Sequence, residues 1–184
     1  MLAAVVSAQF GMEQNVLAES TVVIHGLAFC TESDAPLYTG MVNVYNMNFP
    51  IEQGRFQLEL VPGNYSITVT GAYRQPKSFA LSVSDEPEHL EITLDPKFSA
   101  EEIDLLAKIT RAEAEGESPL GQTAVAATVL NRVSSSRYPS TIAGVVYQKE
   151  SGRYQYSPVA DGRINLPPTP QSYEAAFQAL SGVD

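Results

Sequence analysis

The sequence predicts two domains, an N-terminal all-β sandwich followed by a mainly α-helical domain. Through residues 21–95, apolar and polar residues alternate over short segments, which is the period of half-buried strands. From residue 100 onward, the apolar residues recur every three or four positions, which is the period of amphipathic helices. Asp95 and Pro96 separate the two patterns. We therefore predict a signal remnant or linker at residues 1–20, the sandwich at 21–96 and the helical domain at 97–184.

The predicted strands are short segments rich in β-branched and aromatic residues. They cover residues 21–29, 41–47, 54–60, 64–71, 77–84 and 89–94. Pro62 and Gly63 form a strong turn signal, because proline fixes φ and glycine tolerates positive φ. Six or seven strands over about 75 residues favour a small β-sandwich.

The predicted helices are bounded by local capping signals. Ser99 and Glu102 form a capping box at the start of a first helix over residues 100–115, which Gly116 ends. Ser118 and Pro119 start a second helix that extends to Val133 and is expected to be buried almost all round. The remaining elements are a short helix after Ser140 or Thr141, an irregular polar stretch with turns at 151–152 and 161–162, and a last helix from Thr169 and Pro170 to Gly182.

Composition excludes several classes of function. The chain has 184 residues and a formal net charge of −10, which argues against binding nucleic acid through its phosphates. Residues 1–96 carry eleven acidic and three basic residues, whereas residues 97–184 carry ten and eight. No stretch is apolar enough to predict a transmembrane span. The single cysteine, Cys30, excludes an internal disulfide framework, and the sequence does not indicate an oligomeric state.

The second half lacks the residues that several catalytic mechanisms require. Both histidines, His25 and His89, lie in the first half, and neither has companions at metal-ligand spacing, so we interpret them as structural or surface residues. Without His or Cys, residues 97–184 offer no triad-type nucleophile and no His/Cys zinc site. The remaining carboxylates point to acid–base chemistry on an acetal or glycoside.

Glu113 is the best candidate for a general acid. It falls at the edge of the apolar stripe of the first helix, near the break between the helices, so we expect partial desolvation and a raised pKa. The alternative is that Glu113, Glu115 and Glu117 only form a solvated helix end. Negative charge at a helix C-terminus opposes the helix dipole, however, so the chain accepts an electrostatic cost there.

Residues 54–69, GRFQLELVPGNYSITV, resemble the carboxypeptidase-regulatory-like, or transthyretin-like, domains. Those domains commonly carry a strand, then L-x-P-G-x-Y, then another strand. The resemblance covers most of the first half. It implies a non-catalytic β-sandwich that serves as a spacer or adhesive module.

Residues 101–184 resemble the SleB-type cell wall hydrolases, the family of the spore cortex-lytic enzymes. The matching words are IDLLAK at 103–108, AEAEGE at 112–117, GQTAVAATVLNRV at 121–133, YPSTIAGVVYQ at 138–148 and SPVADGRIN at 157–165. The resemblance implies a lysozyme-like α domain that cleaves peptidoglycan glycan strands as a lytic transglycosylase, without a metal or other cofactor. Carried over by position in the AEAEGE word, the catalytic glutamate would be Glu113.

Other residues are candidates for supporting roles. Asp161 is the best second carboxylate, although Asp-Gly is also an ordinary turn dipeptide. Gln155, Tyr156 and Asn165 are candidates to line a sugar groove, and Tyr156 is equally suited to packing on the helices. Glu117 is a further candidate for substrate binding. It lies four residues after Glu113, where a second negative charge nearby would raise one pKa further.

Two departures from the family pattern affect the interpretation. Family members usually carry Arg at the position of Glu115. The family's domain also continues beyond a G-x-D word such as residues 182–184, so we expect an incomplete hydrolase domain. The alternative function is therefore a non-catalytic cell-wall-binding or scaffolding protein. The absence of His and Cys from residues 97–184 disfavours a peptidase or amidase. The apolar residues 1–8, ending in V-S-A, suit the end of a signal peptide, and a frayed apolar N-terminus is the alternative. We expect export to the cell wall or the extracellular space.

Overall fold

The computed structural model describes residues 20–86 and 88–184, and it places strands in the first part and helices in the second. The predicted signal remnant or linker lies, apart from Ser20, outside the described residues. The first seven strands are β1 (Val22–Cys30), β2 (Thr39–Val44), β3 (Met47–Glu52), β4 (Arg55–Leu60), β5 (Gly63–Gly71), β6 (Lys77–Val83) and β7 (His89–Leu94).

These strands form one sheet in the order β6-β5-β2-β3-β4-β1-β7. All neighbours are antiparallel except β1 and β7, which run parallel. The pairing between β3 and β4 is limited to Glu52 with Arg55, so the sheet consists of two arms joined by a short hairpin. The two arms share one hydrophobic cluster, to which β1 contributes Ile24, β4 Leu58 and β5 Val69. A shared core of this kind is what a sandwich requires. The closer likeness to a transthyretin-like domain stays a prediction.

Strand β3 is the strand of the seven-stranded sheet that the sequence pattern missed. Its sequence, MNFPIE, contains Pro50, and a proline inside a run argues against a strand. Pro50 pairs with Met41 of β2, while its other side is free because β4 pairs only with Glu52. A proline is tolerated at such a free edge because no ladder hydrogen bond is needed there.

The helical part packs around a second hydrophobic cluster. Its helices are α1 (Ala100–Ala114), α2 (Pro119–Ser134), α3 (Ile142–Val146), α4 (Ser157–Asp161) and α5 (Pro170–Ser181). The capping box of Ser99 with Glu102 is present, and Ser118 caps α2 with Pro119 in its first turn. Thr141 caps α3 through the backbone N–H of Gly144, and Thr169 caps α5. The predicted helix starts are therefore confirmed.

Helix α2 is less buried than the sequence predicted. Gln122, Ala126 and Leu130 lie in the core, but Ala124, Thr128 and Asn131 form an exposed face. Most residues of α2 are small or apolar, so its sequence has no polar stripe that would predict an exposed face. The prediction that α2 is buried almost all round is wrong.

The stretch predicted to be irregular contains short regular elements. Strands β8 (Lys149–Glu150) and β9 (Arg153–Tyr154) form a hairpin, and the predicted turn at Ser151 and Gly152 connects them. Both turn residues have positive φ, 51° and 81°, as a tight hairpin turn requires. The second predicted turn is also present, since Gly162 ends α4 in a left-handed conformation, and a 3₁₀ turn over Arg163–Asn165 follows.

The strands and helices meet through a small set of hydrogen bonds. The Tyr38 N–H donates to the Ser181 carbonyl at 2.8 Å, and the Tyr73 hydroxyl donates to Asn131 Oδ1 at 3.0 Å. The change from strands to helices falls between Leu94 and Ala100, close to the boundary that we predicted. The division into independent domains stays a prediction. None of the described helices has the length and hydropathy needed to cross a bilayer.

Candidate functional site

Glu113 lies in the last turn of α1, and its side chain is exposed to solvent. The expectation that it is partly desolvated is therefore wrong for the protein without substrate. Its neighbours Ala112 and Ala114 are buried, so the helix direction places Glu113 on the outer side of this turn. Any dehydration of the Glu113 carboxylate has to come from a molecule that covers it.

The backbone around Glu113 is held by an arginine from a distant part of the chain. The last carbonyls of a helix have no partner inside the helix, and the Ala112 carbonyl is one of them. Arg163 Nη1 donates to the Ala112 oxygen at 2.8 Å. A cation at this position also suits the negative end of the helix dipole. Arg163 therefore fixes the peptide group that immediately precedes Glu113.

A second arginine holds the same turn from the other side. Arg111 Nη1 donates to the Pro167 carbonyl, and Arg111 Nη2 lies 3.0 Å from Glu115 Oε1. Glu115, which stands where the family usually has Arg, is thus the partner of an (i, i+4) ion pair on α1. Together, Arg111 and Arg163 attach the end of α1 to the segment between α4 and α5.

Asp161 is engaged in a turn. Its carboxylate accepts hydrogen bonds from the Arg163 N–H at 3.0 Å and from Arg163 Nε at 2.9 Å. The backbone hydrogen bond from Arg163 comes first among the causes that hold the pKa of Asp161 below its usual range. This arrangement is that of an Asx turn, the alternative that the Asp-Gly dipeptide left open.

Tyr156 is buried in the helical part, and Arg132 lies against its ring. The residue is 8% exposed, and its hydroxyl has no hydrogen-bond partner among the described residues. The Arg132 guanidinium carbon lies 5.2 Å from the centre of the Tyr156 ring and 5.4 Å from that of Tyr138. Burial raises the pKa of the Tyr156 hydroxyl, the Arg132 charge lowers this pKa, and the Glu113 charge raises it. Arg132 is therefore the cation that lies against the ring of this buried tyrosine.

Arg132 and Arg163 are residues of this region to which the sequence alone assigned no role. Asn131, next to Arg132, accepts from the Tyr73 hydroxyl and donates to Asp184 Oδ1 at 3.0 Å. Arg163 lies within the SPVADGRIN word, and only its three-dimensional contact with Ala112 indicates its role.

The other predicted groove residues lie on the β8–β9 hairpin and on the 3₁₀ turn. Gln155 is exposed and donates to Glu150 Oε2 at 3.0 Å, while Lys149 Nζ lies 4.4 Å from the centre of the Tyr154 ring. Asn165 is exposed at the end of the 3₁₀ turn, and Arg163 of the same turn contacts the end of α1. A role in substrate binding stays a prediction for Gln155 and Asn165.

Glu117 does not share a helix with Glu113. Helix α1 ends at Ala114, and Glu117 lies in the connection, where its N–H donates to the Ala114 carbonyl at 2.9 Å. The four-residue spacing therefore does not place the two carboxylates on one helical face. A role for Glu117 in the site stays a prediction.

The strand-rich part contains a large open concavity of about 870 Å³, which does not include Glu113. His25 and His89 are exposed at its rim, with their ring centres 6.3 Å apart, which confirms their surface position. Among residues 20–86 and 88–184, no three His, Cys, Asp or Glu side chains are arranged to hold a metal ion. Cys30 ends β1 and is buried, and burial raises the pKa of its thiol to about 11.

Comparison with known proteins shows what the helical part is related to. Residues 116–184 match the family described as Cell Wall Hydrolase. A spore cortex-lytic enzyme of Bacillus cereus is 36% identical over 98 residues, which are 53% of this chain and 36% of that protein. The spore cortex-lytic enzyme of Bacillus subtilis is 39% identical over 87 residues, 47% of this chain and 27% of that protein. This part of the chain belongs to the SleB-type cell wall hydrolase family.

Solved structures include members of the same family. The catalytic domain of the germination-specific lytic transglycosylase SleB from Bacillus anthracis is 38% identical, with a TM-score of 0.42. The match covers 47% of this chain and 68% of that one. This protein spans between about a quarter and 36% of the length of its curated spore cortex-lytic relatives. The family match begins at Gly116, after Glu113, so it does not test that residue.

Proposed function

We propose that this protein cleaves the glycan strands of peptidoglycan as a lytic transglycosylase, with Glu113 as its catalytic residue. The observation that carries the proposal is the position of Glu113 within the hydrolase-related helical part. It is an exposed carboxylate on a turn whose backbone is held by Arg163. A glycan strand bound over this turn would exclude water, and loss of water favours the neutral acid that protonation requires.

The proposed reaction uses one carboxyl group twice. Glu113 as an acid gives its proton to the glycosidic oxygen, the C1–O bond breaks, and positive charge develops at C1 of the sugar. The resulting carboxylate takes the proton of the same sugar's 6-hydroxyl, and O6 bonds to C1 to close a 1,6-anhydro ring. Glu113 is protonated again at the end, and no water is consumed. The ion pair of Asp161 with Arg163 supports this one-carboxylate scheme over hydrolysis with a second carboxylate.

The test uses mass spectrometry of the soluble products released from purified peptidoglycan by the full chain. We expect products that end in 1,6-anhydromuramic acid from the wild-type protein, and none from Glu113→Gln with an unchanged circular dichroism spectrum. Glu101→Gln is the matched control, because Glu101 is exposed in the first turn of the same helix. Full activity of Glu113→Gln, or no product from the wild-type protein, would contradict the proposal.

One observation favours a second function, binding to the cell wall without cleavage. A concavity of about 870 Å³ lies in the strand-rich part and does not include Glu113. A binding protein would sediment with peptidoglycan and release no soluble fragments. The same incubation, with the pellet analysed for bound protein, separates the two functions.

The role of the strand-rich part and the location of the protein are parts of the same proposal. We infer that residues 21–96 form a transthyretin-like spacer or adhesive domain, and that residues 97–184 form a lysozyme-like domain. The two separate hydrophobic clusters support this division. The substrate lies outside the cell membrane, so the proposed activity requires export.

A further inference from the structure

A groove of about 380 Å³ lies where the strand-rich part meets the helical part. Tyr73 reaches this junction groove from the turn after β5, Phe98 from the segment between β7 and α1, and Val133 from the end of α2. Ligand pockets in proteins occupy roughly 300–1,000 Å³ and are frequent at the interfaces between domains. The junction groove therefore has the size and the position of a binding site, and Glu113 is not among the residues that line it.

Two aromatic rings form the apolar wall of the junction groove. The ring centres of Tyr73 and Phe98 lie 6.3 Å apart, and the angle between the ring planes is 34°. Both residues are half-buried, since they pack against the helical cluster and also line the groove. Because the face of an aromatic ring carries partial negative charge, such a wall attracts flat apolar groups with slightly positive hydrogens.

The Tyr73 ring is held in place from both of its ends. Its hydroxyl donates to Asn131 Oδ1 at 3.0 Å and also hydrogen-bonds with Ser134. At the other end, the Tyr73 carbonyl accepts from the Lys97 N–H at 2.9 Å. The φ of Tyr73 is 57°, in the left-handed region that bulky residues seldom adopt. Strained residues persist only where the surrounding structure holds them, and they cluster at ligand sites.

The polar side of the junction groove carries no net charge. Lys97 contributes one positive charge, Glu102 one negative charge and Ser140 an exposed hydroxyl. None of the ion pairs among the described residues includes Lys97, so its ammonium group is available to an acceptor oxygen. A strongly anionic polymer would require an excess of positive charge here, and the groove has none.

A sugar ring has the two kinds of surface that this groove offers. The C–H face of a pyranose packs on aromatic rings, while its hydroxyl and acetamido groups bond to hydroxyl and ammonium donors. We propose that the junction groove binds a sugar of the peptidoglycan glycan strand, at a distance from the residue that cleaves it. The identity of this occupant rests on the proposed function, to which the groove adds a second contact with the same substrate.

The groove and the candidate catalytic residue lie at opposite ends of α1. Glu102 is in the first turn and Glu113 in the last, so about 16 Å of helix separates them. A glycan strand is a polymer of sugars, and one strand is long enough to occupy both places. Binding at the groove therefore holds the strand on the protein while another of its sugars meets Glu113.

The test locates the bound sugar directly. Soluble oligomers of N-acetylglucosamine, a neutral sugar of the glycan strand, are titrated into the full Glu113→Gln chain while its amide NMR signals are recorded. We expect the signals of Tyr73, Phe98 and Ser140 to shift together with a single Kd. Shifts confined to the end of α1 around Glu113, or no shifts at all, would overturn the proposal.

Replacement of Phe98 measures what the aromatic wall contributes. Phe98→Leu keeps an apolar side chain and removes the flat ring, so the Kd is expected to rise by about 3- to 10-fold. Phe79→Leu is the matched control, because Phe79 is also half-buried but packs on the strand-rich cluster. Both variants are compared at a temperature at which circular dichroism shows them folded. An unchanged Kd in Phe98→Leu, or an equal rise in both variants, would contradict the proposal.

Cleavage assays separate this proposal from the proposed function. In the chain that retains Glu113, Phe98→Leu is expected to raise the KM for peptidoglycan and to leave kcat unchanged, because the contact is remote from the reacting atoms. A lower kcat with an unchanged KM would count against a binding role. If the wild-type chain binds the oligomers in the groove but releases no products, the cleavage fails and the groove stands. Products without binding in the groove would have the opposite meaning.

Discussion

Replacement of Arg163 tests how the backbone of the site is held. Arg163 Nη1 donates to the Ala112 carbonyl at 2.8 Å, while Nε and the backbone N–H bond to Asp161. Arg163→Met keeps much of the side-chain stem and removes every guanidinium contact. We expect the last turn of α1 to loosen, so that Glu113 loses its fixed position.

The size of the effect follows from the exposure of the groups involved. The side chains of Arg163 and Asp161 are 49% and 46% exposed, so solvent screens their ion pair and it adds little to stability. The hydrogen bond to the Ala112 carbonyl is charge-assisted and partly buried, and such bonds contribute about 1.5–3 kcal/mol. With solvent access lowering this value, we expect Arg163→Met to lower the free energy of unfolding by about 1–2 kcal/mol.

The loss of activity is expected to exceed the loss of stability. A displacement of about 1 Å at a catalytic group costs up to about 100-fold in rate. We therefore expect kcat/KM for release of soluble fragments to fall by about 10- to 100-fold at temperatures where the variant stays folded. Turbidity loss of a peptidoglycan suspension, with circular dichroism as the check on folding, provides the measurement.

Two matched variants separate the possible causes. Asp161→Asn retains an oxygen for the Arg163 N–H and leaves the bond to the Ala112 carbonyl in place, so its activity is expected to stay within about threefold of the wild type. Arg137→Met removes an exposed arginine whose side chain has no described hydrogen bond or ion pair, so it controls for the loss of charge. Full activity in Arg163→Met would refute the reasoning. Inactivity of Asp161→Asn would make Asp161 a second catalytic carboxylate.

Two further predictions concern the strand-rich part and its contact with α5. The Cys30 thiol is buried with a pKa of about 11, so a maleimide at pH 8 is expected to label it only when the protein opens; rapid labelling of the native protein would contradict this. Gly182 has a φ of 102°, and a Cβ there would lie 2.4 Å from Thr39 Oγ1. Gly152 has a φ of 81° and open space around it, so Gly152→Ala suffers only the backbone penalty of about 1–2 kcal/mol. We expect Gly182→Ala to lower the Tm more than Gly152→Ala, and equal effects would show that the contact with Thr39 contributes nothing.

Sequence reasoning located the element boundaries well where the signals are local. The caps at Ser99, Ser118 and Thr169 act within three residues, and the left-handed glycine at Gly182 ends its own helix. The hydrogen bonds of a helix cap join residues that are close in the sequence. The local sequence is therefore enough to predict them. Strand β3 was missed because a proline such as Pro50 is tolerated only where one side of the strand has no paired neighbour. Strand pairing of this kind cannot be seen in a local sequence pattern.

The environment of the site depends on contacts that span long stretches of chain. Arg163 reaches a carbonyl 51 positions away, and Arg132 meets the ring of Tyr156 across the whole of α3 and the hairpin. The sequence also did not predict that Glu113 is exposed. A position at the edge of an apolar stripe does not show whether another segment covers it. The sequence thus indicated the candidate acid, and the structure supplied the groups that hold it and surround it.

The central claim is that Glu113 acts first as acid and then as base on the glycan itself, without water. The most direct measurement digests purified peptidoglycan in water enriched in heavy oxygen and analyses the released ends by mass spectrometry. We predict anhydro ends that contain no heavy oxygen, formed by the wild-type protein and lost in Glu113→Gln. Reducing ends that carry heavy oxygen would show hydrolysis by water and would contradict the claim.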